Sequence, residues 1–195
     1  MKTFIKNIIA FVVTSSIVLS CAQSSQTVNS DRDSVNQEDK NVNTANISQS
    51  ESESEFVLAA ADGGMLEVRL AERALDKALS QEVKSFAQSM VTDHGKANEE
   101  LKTLAAKSNI SIPTTLSTTS QQKYDDISEK DGEHFDRAYA EAMISDHKET
   151  IEKFYVLTNI GRNSEISDWA KGKIPMLEHH LMMAEKMYET VKKAE

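Results

Sequence analysis

Only one cysteine occurs in the 195 residues, which excludes an internal disulfide and any zinc site built on a cysteine cluster. Proline and glycine are also scarce, at two and six, while Ala, Glu, Lys, Leu and Met are plentiful. Such a chain has few breakers and many good helix formers. Basic charge is short, with 22 Lys and Arg against 31 Asp and Glu, a net charge of −9 and an isoelectric point near 5.1. A phosphate backbone needs a basic surface, so no nucleic acid partner is expected. Long hydrophobic runs are missing too. The longest, Ile8 to Leu19, falls short of the roughly 20 residues a spanning helix needs, and a mean hydropathy of −0.47 excludes a multi-span membrane protein. No Gly-x-Ser-x-Gly elbow, phosphate loop or His-Glu-x-x-His helix is present. No catalytic motif therefore assigns an enzyme activity.

What is there begins with an address. Lys2 and Lys6 precede the apolar run, and Ser20-Cys21-Ala22 follows it. A positive start, a short apolar stretch and small residues at the cut describe a secretory signal. Cysteine directly after that stretch resembles a bacterial lipoprotein signal, in which Cys21 becomes the lipidated first residue. The alternative is ordinary secretion with a free thiol. The lipoprotein reading makes residues 1–20 a signal peptide and Cys21 a membrane anchor. It places the protein in the bacterial cell envelope, on the periplasmic side, and Ala22 as second residue points to the outer membrane.

Residues 21–54 read as a disordered polar tether. Nineteen of these 34 residues are Ser, Thr, Asn or Gln, and none is aromatic. Such a segment buries too little apolar surface to offset its ordering entropy. As a random coil it would reach about 30–35 Å.

From residue 55 to 195, apolar residues recur at three- and four-residue steps, the period of buried helix faces. The expected first helix runs from about Glu55 to Leu79. Ser80 would cap a second, whose stripe holds Phe86, Met90, His94 and Leu101. Asn109 to Thr119 reads as a loop. A third helix carries Phe135, Tyr139, Met143 and His147, starting as early as Gln121. Ser164 would cap a fourth, with Pro175 kinking or restarting it. Short turns near residues 80 and 162 imply two αα-hairpins. The expected fold is all-α, an up-down four-helix bundle.

The histidines carry the chemistry. Met90-Val91-Thr92-Asp93-His94 recurs 53 residues later as Met143-Ile144-Ser145-Asp146-His147, and Met176-Leu177-Glu178-His179-His180 is a looser copy. In each, Met stands four before a His (His94, His147 or His180), so both project from one helix face. Counted from the two turns at about 1.5 Å per residue, Glu67 and His94 sit at almost the same level in one hairpin, and His147 and His180 at almost the same level in the other. A bundle can then gather Glu67, His94, His147 and His180 into one interior layer, with Asp93 and Asp146 beside it to ligate or to orient the imidazoles. Three His and a carboxylate suit one ion of Zn, Mn, Fe or Cu, and the Met side chains favour Cu. The bland alternative is a polar layer that only fixes helix register, with Met as core filler. His134 and His179 read as surface residues.

Met90-x-x-Asp93-His94-x-Lys96-x-Asn98, Phe135-Asp136-x-x-Tyr139, Asp146-His147 and Pro175-x-Leu177-x-x-His180 resemble the bacterial family catalogued as domain of unknown function 4142. The likeness covers about residues 55–192. It implies a ferritin-like four-helix domain in exported or lipid-anchored proteins and no established activity. The Glu-x-x-His pairs of di-iron ferritins are missing, so ferroxidase or storage activity is not carried over. Two readings of function remain: metal handling or envelope stress through a bound transition metal, or a non-catalytic interaction module.

Overall fold

The computed structural model describes residues 38–160 and 164–192, with side chains from residue 52 onward. The expected signal peptide and Cys21 lie outside the described residues. Five helices are described: α1 (Glu38–Lys77), α2 (Gln81–Lys107), α3 (Thr118–Ser128), α4 (Gly132–Asn159) and α5 (Glu165–Val191). The first helix thus begins 17 residues before the expected Glu55, and residues 38–54 of the expected tether continue it. Burial is not needed to extend a helix once it is nucleated, because each added residue gains one backbone hydrogen bond.

The helices α2 and α5 start where serine can satisfy free N–H groups. Ser80 accepts from the Val83 N–H at 3.4 Å and Ser164 from the Ser167 N–H at 3.0 Å. Asp136 of α4 reinforces the start of α2 by accepting from the N–H groups of Leu79 at 3.2 Å and Ser80 at 2.7 Å. Asn109 ends α2 with a φ of 56°, and the Ile110 N–H returns to the Ala105 carbonyl.

A fifth helix, α3, stands where a loop and an early start of the third helix were expected. Gly132 separates α3 from α4 with a φ of 58°, a conformation that glycine takes without strain. The order of directions also differs from the expected up-down succession. Phe56 of α1 meets Phe154 at the far end of α4, while the α1–α2 turn meets Asp136 at its start. So α4 runs antiparallel to α1 and parallel to α2. The connection from 108 to 131 must travel the length of the bundle, and α3 is its helical part. Asp62 holds one end through Ser117 and Ser120, and Lys77 holds the other through the Ser128 carbonyl. One long crossover joining two antiparallel hairpins is the connectivity of ferritin-like bundles.

The helix α5 runs through Pro175 without stopping, so of the two expectations there the restart does not occur. Proline 175 is exposed, so water can serve the carbonyl that loses its N–H partner. Its neighbours Ile174 and Leu177 are buried and hold both halves in place.

The interior divides into two apolar clusters. One gathers Leu70, Phe86, Phe135, Tyr139 and Met187. The other gathers Val57, Leu101, Phe154, Ile166 and Leu177. On α2, α4 and α5 the boundary falls at His94, His147 and His180, and on α1 Glu67 lies close beside it, each of the four at most 4% exposed.

Candidate metal centre

The four residues at this boundary meet. Ring centroids lie 5.3 Å apart for His94 and His147, 5.1 Å for His94 and His180, and 5.6 Å for His147 and His180. One ring nitrogen from each of the three lies within 4.8 Å of the others. Nitrogens sharing one ion through bonds of about 2.0–2.1 Å stand about 3–4 Å apart. The observed set needs only a small closure to hold one.

The partners behind each ring decide which nitrogens face inward. His94 Nδ1 lies 2.8 Å from Glu67 Oε2. His180 Nε2 lies 3.0 Å from Asp93 Oδ2. His147 Nδ1 lies 2.8 Å from the Met143 carbonyl and 3.5 Å from Glu67 Oε1. A carboxylate and a carbonyl only accept, so each of these nitrogens carries the hydrogen. The opposite nitrogens, His94 Nε2, His147 Nε2 and His180 Nδ1, are then lone-pair donors. His147 Nε2 is buried without a hydrogen-bond partner. His94 Nε2 and His180 Nδ1 face each other at 3.1 Å. Two lone pairs at that distance repel unless a positive centre lies between them.

A proton can be that centre. Burial works against protonation of His94, but the Glu67 carboxylate outweighs it and raises the pKa above the ordinary value. His94 then donates at both nitrogens, to Glu67 and to His180. His180 is pushed down to about 4, by burial first and then by the charge on His94, with Asp93 opposing. Burial likewise lowers His147. Burial alone would raise Glu67, yet the His94 and His147 imidazoles outweigh it and bring the carboxyl to about 2. With His94 as the protonated ring, its charge would face the Glu67 carboxylate, and burial favours the neutral form of His147 and His180. A metal ion in place of the His94 proton would keep every partner behind the rings and occupy all three inward lone pairs.

The proposed carboxylates divide by role. Glu67 and Asp93 stand behind the imidazoles and fix their ring hydrogens, the arrangement typical of groups that orient metal-bound histidine. Asp146 turns away. Its Oδ1 pairs with Lys123 of α3, and its Oδ2 is buried without a partner. Lys123 had no place in the sequence reading because α3 had none. The buried Tyr139 hydroxyl also lacks a partner, and in the sequence Tyr139 stands only as a stripe and motif residue, which signals nothing more. Asp136 is architectural, as its grip on the α2 start shows. His134 and His179 are exposed, as the sequence reading has them.

A family model described as "Domain of unknown function (DUF4142)" matches residues 37–187. Among solved structures, a crystal structure of a DUF305 fragment from Deinococcus radiodurans is similar at a TM-score of 0.64 and 14% identity. The likeness covers 71% of this chain and 96% of that one, and at this identity it concerns the fold alone. No curated protein matches the chain.

Proposed function

Because the chain belongs to the domain of unknown function 4142 family, whose description assigns no activity, we propose its function from the buried layer: it binds one transition-metal ion through His94, His147 and His180. Glu67 and Asp93 orient the rings. One observation carries this reading. Acceptor-only partners fix the outer nitrogen of every ring, leaving a lone pair on each opposite nitrogen: His94 Nε2 and His180 Nδ1 face each other at 3.1 Å, and His147 Nε2 is buried without a partner. An unsatisfied buried polar atom costs about 1–3 kcal/mol, and an ion would remove that cost.

Three neutral imidazoles suit Zn, Cu, Fe or Mn. Met90 and Met143, both fully buried one turn before their histidines, favour Cu among them. With three protein ligands a fourth position stays available for water or an exchanging ligand, which fits metal handling or a protective role in envelope stress. The amino-terminal pattern supports a periplasmic site of action, with Cys21 lipidated and the domain held at the outer membrane.

The test is elemental analysis of the purified full chain beside a His94→Ala/His147→Ala/His180→Ala variant, each after exposure to the four metals. One equivalent in the parent and none in the variant is expected. Equal content in both removes the site. The relay from Glu67 through His94 and His180 to Asp93 is also complete with a proton alone, which favours a second reading, a non-catalytic envelope module whose polar layer fixes helix register. Under that reading neither protein takes up metal.

A further inference from the structure

The three imidazoles are 0–4% exposed, so an ion cannot reach them without crossing the wall of the bundle. A cavity of about 810 Å³ runs in from the surface, bordered mainly by α1 and α4 with α3 at its rim, and touches both Glu67 and His94. Its lining includes six carboxylates against three lysines. A concave surface of that sign concentrates cations.

Two adjacent glycines of α1 border this cavity and behave differently. At Gly64 an added Cβ would stand 2.2 Å from the Asn98 side-chain oxygen, so close packing explains the glycine. At Gly63 an added Cβ would meet nothing within 4 Å. A glycine inside a helix costs about 1 kcal/mol against alanine, and no neighbour in the fold requires this one. It leaves open space along the passage.

At the inner end the cavity meets an acceptor that no hydrogen bond satisfies, with His147 Nδ1 3.5 Å away. Glu67 is 4% exposed at the side chain, lines the cavity, and its Oε1 has no hydrogen bond. Nearer the rim, Asp146 also lines the cavity and offers the buried Oδ2. The Asp146 Oδ1 is held by the Lys123 ammonium. Lys123 is about one-third exposed, so it can swing outward and vacate its place.

We propose that this cavity is a cation-receiving site: a hydrated divalent ion is taken up by Asp146 and Glu67 Oε1 and passed to the imidazoles, with Lys123 as the competing cation at Asp146. The proposal rests on the metal-centre reading. Oxygen ligands suit the arriving, still hydrated ion, and nitrogen ligands hold it at the end.

Stopped-flow absorbance of Co²⁺ binding to the purified full-length chain tests it, comparing the parent with Gly63→Ala, Gly63→Leu, Lys123→Met and Gly172→Leu. Gly172 lies on α5 outside the cavity, is exposed, and has as much room for a Cβ, so its substitution controls for a helix glycine as such. A plug slows arrival and departure equally. Gly63→Leu should therefore lower both rate constants by about tenfold at unchanged stoichiometry and affinity. Gly63→Ala should lower them less, Lys123→Met should raise the association rate, and Gly172→Leu should match the parent. Parent-like rates in Gly63→Leu overturn the cavity as the route while leaving the centre intact. If no protein in the series takes up Co²⁺, the centre and its entrance fall together. Circular dichroism of each variant separates a plugged passage from a misfolded chain, and Gly63→Ala, the mildest change, keeps the comparison decisive.

Discussion

Glu67 is the counter-charge that two imidazoles share, and the consequences of removing it differ from those of removing a ligand. In Glu67→Gln the His94 ring loses an anion 2.8 Å away, so burial acts on it with only the more weakly felt Asp93 charge opposing. Its pKa should drop below the ordinary histidine value, measurable by NMR titration. Metal affinity should fall about 10–100-fold, as it does when groups behind metal-bound histidine are lost, measured by competition against a chelator. Acid sensitivity follows from His180 and Glu67. His180 titrates near 4 in the folded chain and near 6.5 unfolded, so the unfolded state binds its proton first as pH falls. Stability from this group is present above pH 6.5 and is lost between about 6.5 and 4. The Glu67 contribution is present above its unfolded value near 4.5 and is lost as pH falls toward 2. Urea midpoints measured with a chelator should therefore decline steadily from pH 7 to pH 3. His180→Phe should flatten the upper part of that decline.

At the scale of the helices, Asp136 is the most informative residue to change. It takes two backbone N–H groups at the α2 start, and Asp136→Ala should cost about 2–3 kcal/mol in urea unfolding. The glycine pair gives opposite signs: Gly64→Ala should destabilise by about 1–3 kcal/mol through its clash with Asn98, and Gly63→Ala should stabilise by up to about 1 kcal/mol. Same-sign results would contradict the packing described at the pair. The serine caps and the common height of the four polar residues were legible in the sequence. Caps act over three residues, and helical rise is nearly constant, so counting suffices. The helix α3 was not legible, because Ile127 is its only buried residue and a stripe of one has no period. Nor was the direction of α4, since a 24-residue connection can return on itself or cross the bundle. That error carried into the site, where Asp146 answers to Lys123, a residue that only the crossover brings near.

For the whole molecule, the amino-terminal reading predicts where the domain is found. Cys21→Ala should move the protein from the membrane fraction to the soluble periplasmic fraction, checked by fractionation and by labelling with radioactive fatty acid. Unchanged partitioning would remove the lipid anchor and leave ordinary secretion. Within the folded part, the layer between the two apolar clusters has a mechanical meaning. Each long helix contributes one group to it, and sliding any helix by a turn, about 5.4 Å, would drive a charged or ring-nitrogen group into hydrocarbon. The layer acts as a dowel driven crosswise through four bars: it forbids shear while leaving both tips free to loosen. Amide hydrogen exchange should accordingly be slowest in a belt around the bundle's waist and quicken toward either end, and tightening the dowel should slow the belt first.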